Sequence, residues 1–221
     1  MAEAVPGAED VFGPGLARAV RYAELLAEHG VERGLIGPRE VDRLWDRHLL
    51  NSAVIGELVP RDARVVDLGS GAGLPGVPLA IAAPDLEITL LEPMARRVEW
   101  LEYVVATLGL AVTVVRGRAE EPAVRRQLAD ADVVVARAVA PLAKLTEWAL
   151  PLLRTGGTLL AMKGASAVDE VTRDRDAVAR AGGTEPRIES CGVKVVTDPA
   201  TVVVVDKKVV GHRDRRIRKD R

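Results

Sequence analysis

From residue 64 onward, stretches rich in valine, isoleucine and leucine alternate with stretches of helical periodicity. The first kind is apolar along its whole length, which is typical of strands in a parallel sheet covered by helices on both faces. The predicted strands are 64–68, 86–91, 111–116, 132–136 and 157–162, and the predicted helices are 77–83, 94–108, 119–129, 139–153 and 166–181. This alternation predicts a doubly wound α/β fold.

The alternation stops near the C-terminus. Two valine-rich stretches, 193–196 and 201–205, are separated only by residues 197–200. A link this short cannot hold a crossover helix, so the two strands are predicted to run antiparallel to each other. We therefore expect a seven-stranded sheet that is parallel except for one antiparallel strand near its C-terminal end. That sheet is typical of class I methyltransferases that use S-adenosylmethionine (SAM), and it differs from the sheet of Rossmann dehydrogenases.

The rest of the chain divides into segments of different composition. Residues 1–15 contain two prolines and three glycines and are predicted to be disordered. Residues 16–60 have helical periodicity and predict an N-terminal helical cap, with Pro38 placed as in the first turn of a helix. Residues 61–210 are expected to form the SAM-binding domain. Residues 211–221 form a basic tail, which fits either a polyanionic partner or a solubilising extension.

Composition excludes several classes of protein. No apolar run approaches the ~20 residues of a membrane span, and the first residues lack the order of a signal peptide. The single cysteine, Cys191, cannot form an internal disulfide and indicates a reducing compartment. We therefore expect a cytoplasmic protein that contacts no membrane and holds no metal. No pattern suggests an obligate dimer, so a monomer is expected.

The first predicted strand runs directly into a glycine-rich turn at 69–76, which is followed by a helix. Such a turn lets backbone N–H groups approach a ligand closely, which is typical of sites for adenosine-containing cofactors. Two motifs fit the turn. Read from Gly71, it matches the dinucleotide fingerprint G-x-G-x-x-G; read from Asp67, it matches the D-x-G-x-G-x-G opening of SAM-dependent methyltransferases.

Asp67 favours the second motif. A carboxylate two residues before the first glycine would repel a pyrophosphate, whereas it complements the ammonium of a methionine moiety. The chain also has little room for the separate substrate domain that most dehydrogenases carry. The sequence therefore predicts SAM as the cofactor, with Asp67, Gly69 and Gly71 at its methionine end.

Further cofactor contacts follow from the ends of the next two strands, since ligands of such sheets lie outside the carboxyl ends of the strands. Glu92 ends the second strand, where its carboxylate can accept both ribose hydroxyls. Arg118, Ala119 and Glu120 follow the third strand. A backbone N–H there can meet an adenine ring nitrogen, and the Glu120 carboxylate can accept from the exocyclic amine. The alternative for Glu120 is a favourable acid at the start of a helix.

With these residues in place, the chain resembles the GidB/RsmG family, the bacterial methyltransferases that make 7-methylguanosine in 16S ribosomal RNA. The resemblance covers nearly the whole chain. It rests on the motifs at 67–79, 96–98, 118–121, 136–140, 162–164 and 47–52. Pro75 and Pro78 make the match specific, because they are unusual in a general cofactor loop.

The resemblance implies a function and a set of contacts. It implies SAM-dependent methylation of guanine N7 in a decoding-region loop of 16S rRNA, with the small ribosomal subunit or its precursor as partner. The family's cofactor contacts correspond to Gly69, Leu74, Ala119, Glu120 and Arg137, with Glu92 as the ribose acid. One departure is Val139, where relatives often have an aromatic residue.

Two basic residues are the candidates for the catalytic centre. Arg137 ends the fourth predicted strand and Lys163 ends the fifth, so both should lie at the same edge of the sheet. We expect them to orient the target guanine and its phosphates. The alternative is an ion pair with a carboxylate at that edge. Guanine N7 has a free lone pair at neutral pH, so the reaction needs no general base.

Other residues are interpreted more simply. His48 has apolar neighbours and is expected to be a hydrogen-bonded packing residue. The tryptophans Trp45, Trp100 and Trp148 lie among apolar residues at helical spacing and are predicted to be core. With aromatic residues at only 3%, RNA binding would depend on charge rather than on base stacking. The candidate cations are Arg39, Arg43 and Arg47 on one helix face, Arg96 and Arg97, and the tail; a solvated surface is the alternative for each.

Three other functions stay open at this point. A small-molecule methyltransferase would have a closed apolar substrate pocket. An oxidoreductase would bind a nicotinamide or flavin cofactor. A catalytically silent assembly factor would bind ribosomal particles without transferring a methyl group.

Overall fold

The computed structural model describes residues 5–209. Seven strands within this range form a central sheet. Its strands are β1 (Arg64–Leu68), β2 (Glu87–Glu92), β3 (Val112–Arg116), β4 (Ala131–Arg137), β5 (Leu153–Lys163), β6 (Arg187–Cys191) and β7 (Ala200–Asp206). They are ordered β3-β2-β1-β4-β5-β7-β6. Strand β7 is antiparallel to both β5 and β6, and the other described pairs are parallel. The predicted seven-stranded sheet with one antiparallel strand is confirmed.

Helices cover both faces of the sheet. They are α1 (Ala8–Phe12), α2 (Leu16–His29), α3 (Asn51–Ala53), α4 (Gly76–Ala82), α5 (Ala95–Leu108), α6 (Pro122–Gln127), α7 (Leu142–Ala149) and α8 (Ala167–Arg180). Helices α1 to α5 pack in one core with one face of the sheet, and α6 to α8 pack in a second core with the other. Successive residues of β1 enter different cores, Val65 the first and Val66 the second, because side chains alternate along a strand.

The segment before β1 belongs to the first core. After α2, the chain forms 3-10 and π helical segments at Pro38–Arg43, Leu44–Leu50 and Val54–Leu58. Leu25, Leu49 and Ile55 are fully buried in the same cluster as Val65 of the sheet. The helical segment is therefore packed onto the sheet, and its π segment reaches the end of β4.

The sequence-based prediction of disorder is wrong for the described part of residues 1–15. Helix α1 buries Phe12, whose ring meets Trp45 edge to face with 6.3 Å between centroids. One aromatic residue in contact with the core offsets the local tendency of glycine and proline to leave the chain irregular. Residues 1–4 and the basic tail at 211–221 lie outside the described residues.

The last hairpin also differs from the prediction. The strand next to β7 is β6, and the valine-rich stretch at 193–196 is a turn whose Val195 and Val196 N–H groups donate to the Gly192 carbonyl. Strand β6 lies at the edge of the sheet and is largely exposed, so its residues are mostly polar. Val195 and Val196 pack instead against the first core, which explains why the apolar pattern pointed to the wrong segment.

Two helices begin later than predicted. Helix α6 begins at Pro122 rather than at residue 119, and α7 begins at Leu142, directly after Pro141, rather than at residue 139. Proline is favoured at the start of a helix because its missing N–H is not needed there. These late starts leave loops at 117–121 and 138–141, beyond the ends of β3 and β4. None of the described helices is long and apolar enough to cross a membrane.

Candidate functional site

Three cavities meet at the carboxyl ends of the parallel strands. The β2-side cavity, about 350 Å³, lies beyond β1, β2 and β3. The cap-side cavity, about 380 Å³, lies between the glycine turn and the π segment. The β5-side cavity, about 660 Å³, lies beyond β4 and β5. Ala138 lines all three, so the loop after β4 is where they meet.

The glycine turn is shaped by backbone conformation and held by distant side chains. Gly69, Gly71 and Gly73 have φ of 74°, 57° and 105°. Residues with a Cβ adopt such positive φ values only with backbone strain. A Cβ on Gly69 would also come within 3.0 Å of Val139. The Ala72 carbonyl accepts hydrogen bonds from the Tyr22 hydroxyl at 2.9 Å and from the Trp100 indole at 2.8 Å. Helices α2 and α5 therefore fix the turn that borders the cavities.

Asp67 lies beneath the turn rather than on a cavity wall. It is fully buried, and its Oδ2 accepts from the Gly76 N–H at 3.0 Å, while its Oδ1 has no partner among the described residues. Burial raises the pKa of the Asp67 carboxyl to about 7, against the hydrogen bond from the Gly76 N–H, which lowers it. The carboxylate joins the end of β1 to the start of α4.

A raised pKa at Asp67 predicts a pH dependence of folding. Between its ordinary value near 4 and about 7, the folded carboxyl holds a proton that the unfolded chain has lost, so stability falls as pH rises through this range. The full effect is on the order of 4 kcal/mol. We expect Asp67→Asn, which still offers an acceptor to Gly76, to gain stability relative to the native protein from pH 5 to pH 8 in urea unfolding. Asp42→Asn at an exposed position is the control; equal pH dependence of native protein and Asp67→Asn would contradict the prediction.

Glu92 is placed at the end of β2, on the wall of the β2-side cavity, and is only 1% exposed. Its Oε2 accepts from the Gly71 N–H at 3.0 Å and its Oε1 accepts from the Met94 N–H at 2.9 Å. The Arg97 guanidinium lies 3.9 Å from Oε2. Each carboxylate oxygen can accept a further hydrogen bond, so Glu92 can bind two neighbouring hydroxyls while it holds the turn.

The opposite wall of the β2-side cavity comes from the loops after β3 and β4. Ala119 is buried and its carbonyl accepts from Arg125, while Glu120 is exposed. Trp148 is half-buried and lines the same cavity, with the Lys144 ammonium 5.4 Å from its ring centroid. Trp45 and Trp100 are buried as predicted, whereas Trp148 packs only partly buried against the second core and also faces the cavity. A helix surface can face a cavity as well as a core, and spacing alone does not separate them.

Arg137 stands where the cap-side and β5-side cavities join. Its Nη1 donates to the Ser52 hydroxyl at 3.2 Å, and its Nη2 donates to His48 Nδ1 at 2.7 Å. Burial lowers the pKa of the guanidinium, which nevertheless keeps its charge at neutral pH. The next residue, Ala138, has a φ of 53°, a left-handed conformation that turns the chain sharply after β4.

Lys163 lines the β5-side cavity but is already paired. Its ammonium lies 2.8 Å from Glu170 Oε2 and donates to the Ala140 carbonyl at 2.8 Å. Glu170 also accepts from the Leu142 N–H at 3.0 Å. This is the ion pair that the sequence left open as the alternative. Lys163 holds the 138–141 loop against β5 and α8.

Most of the expected site residues come together. The residues on the walls of the three cavities are Gly69, Gly71, Leu74, Glu92, Ala119, Glu120, Arg137 and Lys163. Sequence reasoning missed Ser52 and Glu40, and it assigned Arg97 to RNA although this side chain lines two cavities. The motif at 47–52 was the available signal for a role of this segment.

The arginines proposed for RNA binding do not share one α-helical face. Arg39 and Arg43 lie in the 3-10 segment and Arg47 in the π segment, although all three are exposed. Four-residue spacing places side chains on one face only in an α-helix, so the predicted stripe is not formed. Arg47 alone of the three lines the cap-side and β5-side cavities.

Comparison with known proteins identifies the family of the chain. A family model for GidB, described as rRNA small subunit methyltransferase G, matches residues 16–197. A relative from Mycobacterium marinum, named ribosomal RNA small subunit methyltransferase G, is 58% identical over 210 residues, or 95% of this chain and 92% of the relative. A relative of the same name from Mycobacterium sp. strain KMS is 58% identical over 198 residues, or 90% and 88% of the two chains.

Solved structures show the same fold at low identity. A SAM-dependent O-methyltransferase from Thermotoga maritima matches with a TM-score of 0.56 and 16% identity, over 77% of this chain and 70% of that chain. Human N-acetylserotonin methyltransferase, solved in complex with SAM, matches with a TM-score of 0.56 and 14% identity, over 72% and 52% of the chains. The fold is therefore that of class I SAM-dependent methyltransferases, and the chain belongs to the GidB family, rRNA small subunit methyltransferase G.

Proposed function

We propose that this protein transfers the methyl group of SAM to N7 of a guanine in a decoding-region loop of 16S rRNA. The observation that carries the proposal is the junction at Arg137 and Ala138. There, two cavities whose walls suit SAM open into a polar cavity of about 660 Å³. A charged residue at that junction is placed to orient an RNA base beside the reacting group.

The residues of the β2-side and cap-side cavities fit SAM in the chemistry of their donors and acceptors. Glu92 would accept from the ribose hydroxyls. The Ala119 N–H and Glu120 would meet the adenine edge, with Val139 and Trp148 as apolar walls. When bound, SAM supplies a methyl group on a sulfonium, with the thioether sulfur as the leaving group.

The methionine end would lie along the glycine turn. Gly69, Gly71 and Leu74 line the cap-side cavity there, and Arg137 closes it. Asp67 would act from beneath the turn, by fixing the Gly76 N–H and by placing a buried acid below the methionine moiety. This role differs from a direct ion pair, and it keeps the acid as part of the cofactor site.

Arg137 would act on the target nucleotide. Ser52 and His48 occupy two of its N–H groups, and no other acceptor contacts it among the described residues. Its remaining donors can bind a phosphate or guanine O6. Lys163 acts as a positioning residue through the 138–141 loop. Because N7 attacks with its own lone pair, these residues need only orient the base, and alignment of that kind accounts for much of the rate of such a reaction.

We also propose the setting in which this activity takes place. The protein acts as a cytoplasmic monomer without a metal, and its partner is the small ribosomal subunit or a precursor of it. Residues 16–60 form the cap and 61–210 the methyltransferase domain. The exposed arginines of the cap and the tail at 211–221 approach the RNA backbone. The relatives' names support the RNA substrate.

One experiment tests the substrate and the modified atom together. The protein is incubated with methyl-labelled SAM and with small subunits that lack the modification, naked 16S rRNA, or an extract of small molecules. We expect label at N7 of one guanine in the subunit or in its RNA. A chain with Gly69→Val, in which a branched side chain would meet Val139, serves as the inactive control. Label only in small molecules, at another atom, or in none of the three substrates would overturn the proposal.

A further inference from the structure

Glu40, His48 and Arg137 form a continuous hydrogen-bonded chain from the helical cap to the site. His48 Nε2 lies 2.7 Å from Glu40 Oε2, and its Nδ1 lies 2.7 Å from Arg137 Nη2. Ser52, also from the cap and fully buried, accepts from the other terminal nitrogen of Arg137. We propose that Glu40 and His48 are positioning residues for methyl transfer, which orient the guanidinium of Arg137 toward the β5-side cavity. The inference rests on the role proposed for Arg137.

The two hydrogen-bond partners of His48 determine which ring nitrogen carries its proton. A guanidinium can only donate, so His48 Nδ1 must carry no proton and accept. The ring proton is therefore on Nε2 and is donated to Glu40. Burial and the neighbouring charge of Arg137 lower the pKa of His48 to about 4, which agrees with a neutral ring. Glu40 is thus the group that selects the tautomer which Arg137 needs.

The arrangement also preserves the charge of Arg137. Among the described residues, no carboxylate lies within ion-pair distance of it, and both of its acceptors are neutral. Glu40 lies on the far side of the imidazole and pairs with His48 and Arg47 instead. A direct carboxylate partner would hold the guanidinium as firmly but would neutralise it. The hydrogen-bonded row of Glu40, His48 and Arg137, called the relay below, orients the arginine through a neutral imidazole. It therefore leaves the positive charge of Arg137 available for an anionic or polar ligand.

The competing interpretation is that His48 only packs in the core. Replacing Glu40 distinguishes this interpretation from a role of His48 in orienting Arg137. Glu40 is the outermost of the three hydrogen-bonded residues, with a side chain 29% exposed, so its replacement leaves the core intact. If His48 only fills space, the loss of Glu40 should not change catalysis. If the relay orients Arg137, the loss of Glu40 should lower kcat and leave the KM for SAM nearly unchanged.

The test compares Glu40→Ala with Glu40→Gln, which can still accept the Nε2 proton, and uses Asp46→Ala as a matched loss of acidic charge on an exposed position. We expect Glu40→Ala to lower kcat on the order of tenfold, as for one lost hydrogen bond to an ionised group. Glu40→Gln should recover most of that loss, and Asp46→Ala should match the native protein. His48→Asn, whose amide oxygen replaces Nδ1, should retain more activity than His48→Leu.

A readout independent of turnover keeps failure of the relay distinct from failure of the proposed function. In NMR spectra, the His48 ring should be neutral with its proton on Nε2 down to pH 5.5. Its pKa should rise in Arg137→Ala, because a cation and a donor are removed while Arg47 and Glu40 remain. Native kcat in Glu40→Ala, an equal loss in Glu40→Gln, or a proton on Nδ1 would each overturn the inference. A native protein that transfers no methyl group to RNA would instead refute the proposed function.

Discussion

Replacing Arg137 with alanine is expected to lower kcat for methyl transfer by two to three orders of magnitude, on the order of what misplacement of a reacting group costs. Arg137 lies at the junction of the cavities and donates two hydrogen bonds to acceptors on the cap. Without it, the target nucleotide loses its charged contact, and the acceptors on Ser52 and His48 lose their donor. The measurement is single-turnover transfer of labelled methyl to unmodified small subunits.

A lysine at position 137 separates the orientation of the Arg137 side chain from its charge, and a distant arginine serves as the control. Arg137→Lys retains the positive charge but not the planar fork that reaches both acceptors, so its rate should lie between those of the native protein and Arg137→Ala. Arg61→Ala, at a highly exposed position before β1, should leave the rate unchanged. S-adenosylhomocysteine binding should weaken less than tenfold in Arg137→Ala, a limit of about 1.4 kcal/mol. A native rate for Arg137→Ala would remove this residue from the site.

The second large effect is expected at Glu92. Glu92→Ala should raise the Kd for SAM by about a hundredfold, since two charge-assisted hydrogen bonds to the ribose would be lost. The change also removes the acceptors of the Gly71 and Met94 N–H groups, which loosens the turn. Isothermal titration calorimetry with SAM and S-adenosylhomocysteine measures the affinity. Glu99→Ala on the exposed side of α5 is the matched control.

A cofactor analogue makes the assignment of Glu92 specific. S-adenosylhomocysteine that lacks one ribose hydroxyl should bind the native protein more weakly than the complete molecule. In Glu92→Ala, the two ligands should bind almost equally, because the carboxylate that accepts the hydrogen bond from the ribose hydroxyl is gone. A double-mutant cycle of this kind isolates the pairwise interaction from general loosening of the turn. Additive losses would show that Glu92 acts only through the turn.

Much of the fold could be predicted because its pattern is local. The boundaries of β1 to β5 lie within a few residues of the predicted apolar stretches. Four of these strands, β1, β2, β4 and β5, lie inside the sheet, where a parallel strand must be apolar on both faces. Strand β6 was missed because an edge strand is exposed and carries a mostly polar sequence. Helix α1 was missed because one buried residue, Phe12, orders it through a contact with Trp45.

The site could be predicted to a similar extent. Glu92 was correctly placed at a strand end because the carboxyl ends of parallel strands share one edge of the sheet. The partner of Lys163 could not be predicted, because several carboxylates were available at that edge and only packing of α8 brings Glu170 to it. Trp148 was assigned to the core alone, because helical spacing does not reveal that the same residue also faces a cavity.

The sequence by itself determined the doubly wound sheet, the antiparallel final strand and the glycine turn that follows Asp67. These features follow from side-chain periodicity and backbone freedom over a few residues. Only the tertiary structure decided that Asp67 lies beneath the turn and that Arg137 is held by His48 and Ser52 of the cap. The two contacts of Arg137 join residues more than eighty positions apart, 85 for Ser52 and 89 for His48. They depend on how the cap packs against the sheet, and a local pattern does not encode that geometry.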